Sequence, residues 1–291
     1  MKKVVVICGP TAVGKTKLSI DLATYFNAEI ISGDSVQVYR KLDIGSAKIK
    51  PEEMHGIKHH MIDILNPNES FDVATFQRMV RSNIESIHRP FIVGGTGLYI
   101  KAALYDYEFN NPKRDLDEEK AYDKLSNEAL HEMLKKNDPD TASLLHPNNR
   151  RRVLRALALA KETKRSSLQN KDVLLYDALI LYASMDRETL YERINRRVDL
   201  MMSEGFLEET IHLKNEGLKL DILGYRELMQ YIDQEISLED ALVEIKKKTR
   251  HLAKRQETWF KNQMHAEILD MKDYDAALAL AIEKIKKFYE V

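Results

Sequence analysis

The sequence predicts an α/β fold: a P-loop-type parallel sheet flanked by helices, with an all-helical subdomain inserted into it. Three observations lead there. The apolar run Val4–Cys8 ends at Gly9-Pro10-Thr11-Ala12-Val13-Gly14-Lys15-Thr16, which is Gly-x-x-x-x-Gly-Lys-Thr at a strand's end. Short apolar runs then alternate with helical patterns through the first hundred residues, as in a parallel α/β sheet. From about Asn110 to Asp172 the strand patterns stop. Polar helical patterns broken at Asn111-Pro112, Asp138-Pro139 and His146-Pro147 take their place.

Taken in order, the elements are as follows. After the strand at Val4–Cys8, Leu18, Leu22, Tyr25 and Phe26 fall on one face of a helix that follows Thr16. Strands are expected at Glu29–Ser32, His60–Ile64 and Phe91–Val93. Between the last two, Phe76, Met79, Val80, Ile84 and Ile87 form a helical apolar stripe. A strand returns at Ala178–Ala183, so the stretch before it reads as an insertion. The expected division is a core of residues 1–109 and 173–291 around an inserted subdomain of residues 110–172. Asp186 caps a helix carrying Leu190, Ile194, Val198 and Met201, and Ser237 with Asp240 caps a long helix reaching Phe260. A short strand at Glu267–Asp270 closes the list.

Composition narrows the class without fixing it. The chain has 291 residues, 44% hydrophobic and 31% charged, with a net charge of −1, enough for one large domain or two small ones. No apolar stretch approaches the ~20 residues of a membrane span, and Met1-Lys2-Lys3 leads into a strand rather than a signal sequence. The single cysteine, Cys8, excludes internal disulfides and fits a reducing cytoplasm. Its place in the first strand predicts burial.

The Gly-rich loop carries the clearest chemistry. Gly9 and Gly14 let the backbone fold into a nest of inward N–H groups. Lys15 adds a cation, Thr16 a hydroxyl for a magnesium ion, and the following helix its positive end. A di- or triphosphate is therefore expected at Gly9–Thr16. Ligands of open α/β sheets sit at the carboxyl ends of the strands, so Asp34 after the second strand should face the same phosphates and one common cavity. Asp34 could hold magnesium or act as a general base, and Gln37 could read a base edge. Thr96, in Gly94-Gly95-Thr96-Gly97, offers a hydroxyl at the same rim. The lack of an acid there argues against ATP hydrolysis. Arg193 and Arg197 stand one turn apart and either reach the phosphates or face solvent. His59-His60 have no further Cys or His at ligand spacing, which favours a structural or substrate-contact role over a metal.

Two basic runs lie beneath the near-zero net charge. Residues 145–165 hold seven Lys or Arg and one acid, with Arg150, Arg151, Arg152 and Arg155 opening a helix. Lys246, Lys247, Lys248, Arg250, Lys254, Arg255 and Lys261 form the second run. Each alone reads equally well as a solvated face. Together they point to a polyanion such as a nucleic-acid backbone.

The ordered set GPTAVGKT (9–16), GDSVQVYRKLDIGSAK (33–48), HHMID (59–63), GGTGLYI (94–100), RRVLRAL (151–157), RINRRVDLM (193–201), LGYRE (223–227) and RHLAKRQETWF (250–260) resembles the tRNA dimethylallyltransferase family across nearly the whole chain. The resemblance implies transfer of a dimethylallyl group from its diphosphate to the exocyclic amine of the adenosine 3′ of the anticodon. It further implies Mg2+ as cofactor and the tRNA anticodon stem–loop as partner, with no membrane partner and a monomeric state. In family terms Asp34 is the general base and Thr96 assists at the adenine. Gly9, Pro10, Thr11, Ala12, Val13, Gly14, Lys15, Thr16 and Arg197 hold the diphosphate, with Thr16 on the metal. Asp34, Ser35, Val36, Gln37, Thr96 and Arg151, Arg152, Val153, Leu154 and Arg155 contact tRNA, and the adenosine is expected to flip out of its stack. Val13, Val36, Ser46 and Lys58 depart from the usual Ser, Met, Thr and Pro. A transferase acting on free adenine nucleotides and a P-loop small-molecule kinase are the alternatives. The first would lack the insert and the basic runs.

Overall fold

The strands β1 (Lys3–Cys8), β2 (Glu29–Ser32), β3 (His59–His60), β4 (Pro90–Gly94), β5 (Asp177–Ser184) and β6 (Glu267–Asp270) form one parallel sheet, in the order β3-β2-β4-β1-β5-β6. The structure is a computed structural model that describes residues 1–107, 122–162 and 173–290, without the side chains of residues 161 and 162. The central strand is covered on both faces, so every residue from Val4 to Cys8 is fully buried and the run is continuously apolar rather than alternating.

The helices are α1 (Lys15–Phe26), α2 (Val73–Ser86), α3 (Gly97–Leu104), α4 (Asn127–Asn137), α5 (Pro139–Leu144), α6 (Arg150–Glu162), α7 (Arg187–Ser203), α8 (Phe206–Asn215), α9 (Tyr225–Ile232), α10 (Leu238–Gln263) and α11 (Tyr274–Tyr289). The chain divides into two compact units, Met1–Tyr105 with Leu174–Val291, and Asp106–Val173. In the second, α4, α5 and α6 enclose a small core of Leu130, Leu134, Ala142, Val153, Ala156 and Leu157. The limits expected at 109/110 and 172 lie outside the described residues, as do the Asn111-Pro112 break, Lys164 and Arg165.

Several elements match their sequence signals residue for residue. Asp186 accepts from the Thr189 N–H at 2.9 Å and starts α7; Ser237 accepts from the Asp240 N–H at 3.1 Å and starts α10. Phe76, Val80 and Ile84 are the buried face of α2. Cys8 is buried, which pushes its thiol up to about 12. Two expectations are corrected. Tyr25 is 53% exposed rather than on the buried face of α1. The strand expected at His60–Ile64 is only His59–His60, because Met61 and Asp63 have φ of 64° and 54°, which ends extended backbone. Ile64 and Leu65 instead donate to the Val38 carbonyl. Among the described residues no helix is long and apolar enough to cross a membrane.

Candidate active site

Register brings the candidate residues to one end of the sheet. Ser32 pairs with Val93 and Cys8 with Gly94, so the loop after β1, Asp34 after β2 and Thr96 after β4 all leave neighbouring strands at their carboxyl ends. In the loop, Ala12 and Gly14 adopt φ of 64° and 104°, the left-handed positions that turn successive N–H groups into one concavity. Val13, where the family's usual Ser is absent, is fully buried in the main core and packs rather than hydrogen-bonds. Gly9 and Pro10 are buried, Thr11 is half-buried and Thr16 is exposed. The Lys15 ammonium donates to the carbonyls of Gly9 (3.0 Å) and Pro10 (2.6 Å).

Helix α7 supplies a basic wall. Arg193, Arg196 and Arg197 line a cavity of about 550 Å³ together with Lys15, Thr16 and Lys48. Arg193 and Arg197 both line this cavity, Arg197 half-buried and Arg193 still exposed to solvent. Burial, then the neighbouring Arg197 guanidinium, lowers the Lys15 ammonium from 10.5 to about 8, against the opposing pull of Asp34. Burial also lowers Arg197, again opposed by Asp34. Asp34 acts electrostatically on both cations, opposing the lowering of each. Asp34 is nevertheless not among the residues lining this cavity, nor is Thr96.

Asp34 also shapes the backbone after β2. Its Oδ1 accepts from the N–H groups of Val36 (2.7 Å) and Gln37 (3.3 Å), leaving Oδ2 for other work. The Gln37 carboxamide accepts from Ser32 Oγ at 3.2 Å and donates to the carbonyls of Ser46 and Ala47 at 3.4 Å, so it braces the following segment. Ser35 is half-buried and Val36 packs against the cluster of α8 and α9. Thr96 is half-buried at the start of α3, where its carbonyl takes the N–H groups of Tyr99 and Ile100.

In the second unit, Arg151, Arg152 and Arg155 are exposed on α6 and Leu154 is half-buried. Two of the expected roles shift. Val153 is fully buried in that unit's core, so its side chain serves packing rather than tRNA contact. Arg150 is committed to the carbonyls of Tyr122 and Leu125 and to Asn127. The second basic run is largely neutralised: Lys246 pairs with Asp199, Lys247 with Glu244, Lys248 with buried Glu227 and Lys261 with Glu257. Glu244 and Glu257 lie one turn away on α10 itself, whereas Asp199 and Glu227 lie on α7 and α9, where a charge count along α10 misses them. His60 bonds Glu29 (2.7 Å) and His59 the Ile57 carbonyl (2.8 Å), both structural.

Sequence reasoning missed two anchors. Glu209 of α8 accepts from the backbone N–H groups of Asp43, Ile44 and Gly45 and from the Tyr225 hydroxyl, tying the segment after Asp34 to α8 and α9. No local pattern marks a carboxylate that binds distant backbone. Gln256 of α10 accepts from the Thr11 N–H at 2.9 Å and donates to the Gly95 carbonyl at 3.0 Å. Its only signal was its place inside RHLAKRQETWF.

Comparison with known proteins agrees with this geometry. A family model described as IPP transferase matches residues 37–263. The tRNA dimethylallyltransferase of Bacillus cereus (strain ATCC 10987 / NRS 248) is 48% identical over 288 residues, covering 94% of this chain and 91% of its own. That of Bacillus pumilus (strain SAFR-032) is 49% identical over 284 residues, 92% and 89%. The crystal structure of full-length tRNA isopentenylpyrophosphate transferase from Bacillus halodurans superposes with a TM-score of 0.77 at 42% identity, covering 100% of this chain and 97% of that one. A eukaryotic dimethylallyltransferase acting on tRNA gives 0.82 at 31% identity, covering 94% and 75%. With loop, carboxylate and arginines at one end of the sheet and these likenesses along its length, the chain belongs to the tRNA dimethylallyltransferase (IPP transferase) family.

Proposed function

We propose that the chain transfers the dimethylallyl group of dimethylallyl diphosphate to the exocyclic amine of the adenosine 3′ of the anticodon in tRNA, releasing pyrophosphate. The observation that carries the reading is the sheet register: the loop after β1, Asp34 after β2 and Thr96 after β4 leave neighbouring strands at their carboxyl ends, in a chain matched to the family over residues 37–263. A kinase would use the same cations and could use the same carboxylate, so the choice of the transferase over a kinase rests on the family match over residues 37–263. An adenine amine is a weak nucleophile until its proton leaves, and Asp34 Oδ2 is the acceptor for that proton, a role worth ~10²–10⁴ in rate. The C–O bond to the diphosphate breaks as the C–N bond forms. The charge that grows on the leaving pyrophosphate is met by Lys15, Arg197 and the loop from Gly9 to Thr16. Thr96 stands at the adenine side. The exposed arginines of α6, Arg151, Arg152 and Arg155, take phosphates of the anticodon stem–loop.

Among the described residues no group of three His, Cys, Asp or Glu could hold a metal. Mg2+ keeps several of its waters and binds through few protein ligands beside a diphosphate. The Thr16 hydroxyl, exposed at the cavity, would hold it, and the ion would add charge neutralisation for the departing diphosphate. Buried Cys8 suits a reducing cytoplasm. The test is label transfer: with dimethylallyl diphosphate labelled in the prenyl group and Mg2+, label is expected in unmodified tRNA. Transfer to free adenine nucleotides alone, or phosphate transfer from ATP, overturns the reading.

A further inference from the structure

The loop that ends β1 and the loop that ends β4 are joined by one side chain from a third element. The Gln256 carboxamide spans them, its Oε1 taking the Thr11 N–H at 2.9 Å and its Nε2 giving to the Gly95 carbonyl at 3.0 Å. Only a carboxamide offers an acceptor and a donor side by side. A carboxylate would oppose the Gly95 carbonyl and an ammonium would oppose the Thr11 N–H. The fit is tight: a Cβ at Gly95 would stand 2.5 Å from Gln256 Nε2. Three residues along α10, and so on the same face, Trp259 lies against Gly97, where a Cβ would stand 2.1 Å from the indole. Thr96 therefore sits between two glycines that α10 holds from above, one by hydrogen bond and one by ring contact.

We propose that Gln256 is a positioning residue that couples the diphosphate loop to Thr96, with Trp259 seating the same clamp. The proposal rests on the reading of Thr96 as the residue at the adenine. Its bond uses Thr11, at the β1 end of the loop, and leaves the Gly14–Thr16 end beside the start of α1 to the diphosphate. A reacting pair held on two separate loops must keep its spacing, and a misplacement of about 1 Å costs on the order of a hundredfold in rate. One rigid helix gripping both loops supplies that spacing. It also means that an anion settling in the loop shifts the surroundings of Trp259, the sole tryptophan of the chain.

The experiment uses that tryptophan in the full chain. Inorganic pyrophosphate with Mg2+ is titrated into wild type, Gln256→Met and Gly95→Ala while indole emission is followed, with calorimetry giving binding in parallel. In wild type the emission is expected to change saturably at the calorimetric midpoint. In Gln256→Met, pyrophosphate affinity is expected to stay within about threefold while at least four-fifths of the emission response is lost. Gly95→Ala, whose Cβ would stand 2.5 Å from the carboxamide and 3.2 Å from the Gly9 carbonyl, is expected to lose the emission response as well. In the transfer assay both variants are expected to lose about ten- to a hundredfold in kcat, with KM for dimethylallyl diphosphate within about threefold. The double variant is expected to lose no more than either one. Equal emission responses in wild type and Gln256→Met overturn the proposal, as does loss of pyrophosphate binding in that variant, which would make Gln256 a ligand residue. Failure of wild type to modify tRNA would instead strike the functional reading and leave the emission comparison standing.

Discussion

Lys15 sits in surroundings that disfavour its charge. Burial and the Arg197 guanidinium lower its ammonium from 10.5 to about 8, so charging it in the free protein is disfavoured by about 3 kcal/mol relative to water. A diphosphate beside it reverses the balance and restores the proton. Binding should therefore take up about 0.1 proton at pH 7, about 0.5 at pH 8 and about 0.9 at pH 9, and affinity should fall as pH rises through about 8. The same shift acts on the free fold. Because the folded value lies below the unfolded one, the cost is fully present below pH 8 and is relieved between about pH 8 and 10.5, so the empty protein gains stability over that window. The assay is pyrophosphate calorimetry in two buffers of unlike ionisation enthalpy. Lys15→Met serves as the reference that subtracts the ligand's own ionisation. Equal proton uptake by wild type and Lys15→Met at pH 8 to 9 would refute the reasoning.

The remaining expectations follow from the same geometry. Asp34→Asn keeps an Oδ1 acceptor for Val36 and Gln37, so it should lower kcat by ~10²–10⁴ while leaving pyrophosphate affinity within a few-fold by calorimetry. Arg151→Ala and Arg152→Ala remove exposed cations from α6. Each is expected to raise KM for tRNA and to flatten the slope of log affinity against log salt by about 0.7–0.9, read by filter binding. Glu227 is fully buried and accepts from Gly224, Arg226 and Lys248. Glu227→Ala leaves Arg226 on Asp221 and Lys248 near Glu244 but removes the acceptor of the buried Gly224 N–H, and should cost about 1–3 kcal/mol in denaturant unfolding. Burial alone would raise that carboxyl, yet Lys248, Arg226 and the Gly224 N–H together hold it low. Its stabilisation is therefore present above the ordinary carboxylate range and lost as pH falls through its depressed value, a loss that Glu227→Ala should not show.

The loop, the core strands and the helix starts were legible because each is encoded locally. Gly9 to Thr16 is a contiguous pattern, Val4–Cys8 a continuous apolar run, and Asp186 and Ser237 act within three residues of themselves. What stayed hidden depends on residues far apart in the chain. The acids that neutralise Lys246 and Lys248 are Asp199 and Glu227, on other helices, so a count along α10 could not find them. Glu209 speaks to backbone N–H groups more than 160 residues away, and backbone donors leave no mark in a sequence. Gly95 and Gly97 flank Thr96 with no local signal of what they make room for. Their reason, the approach of Gln256 and Trp259, needs α10 laid across them. The His60–Ile64 strand stops at His60 because Met61 and Asp63 take positive φ, and Asp63, Ile64 and Leu65 turn their N–H groups to the carbonyls of Gln37 and Val38, partners that residue type does not reveal.

The most direct measurement follows where the prenyl label lands. Two tRNA transcripts are compared in a single-turnover reaction with labelled dimethylallyl diphosphate and Mg2+, one natural and one with guanosine in place of the adenosine 3′ of the anticodon. Nuclease digestion should recover the label on that adenosine in the first and none in the second. Equal labelling of both transcripts, or label on neither while ATP loses a phosphate, would contradict the account.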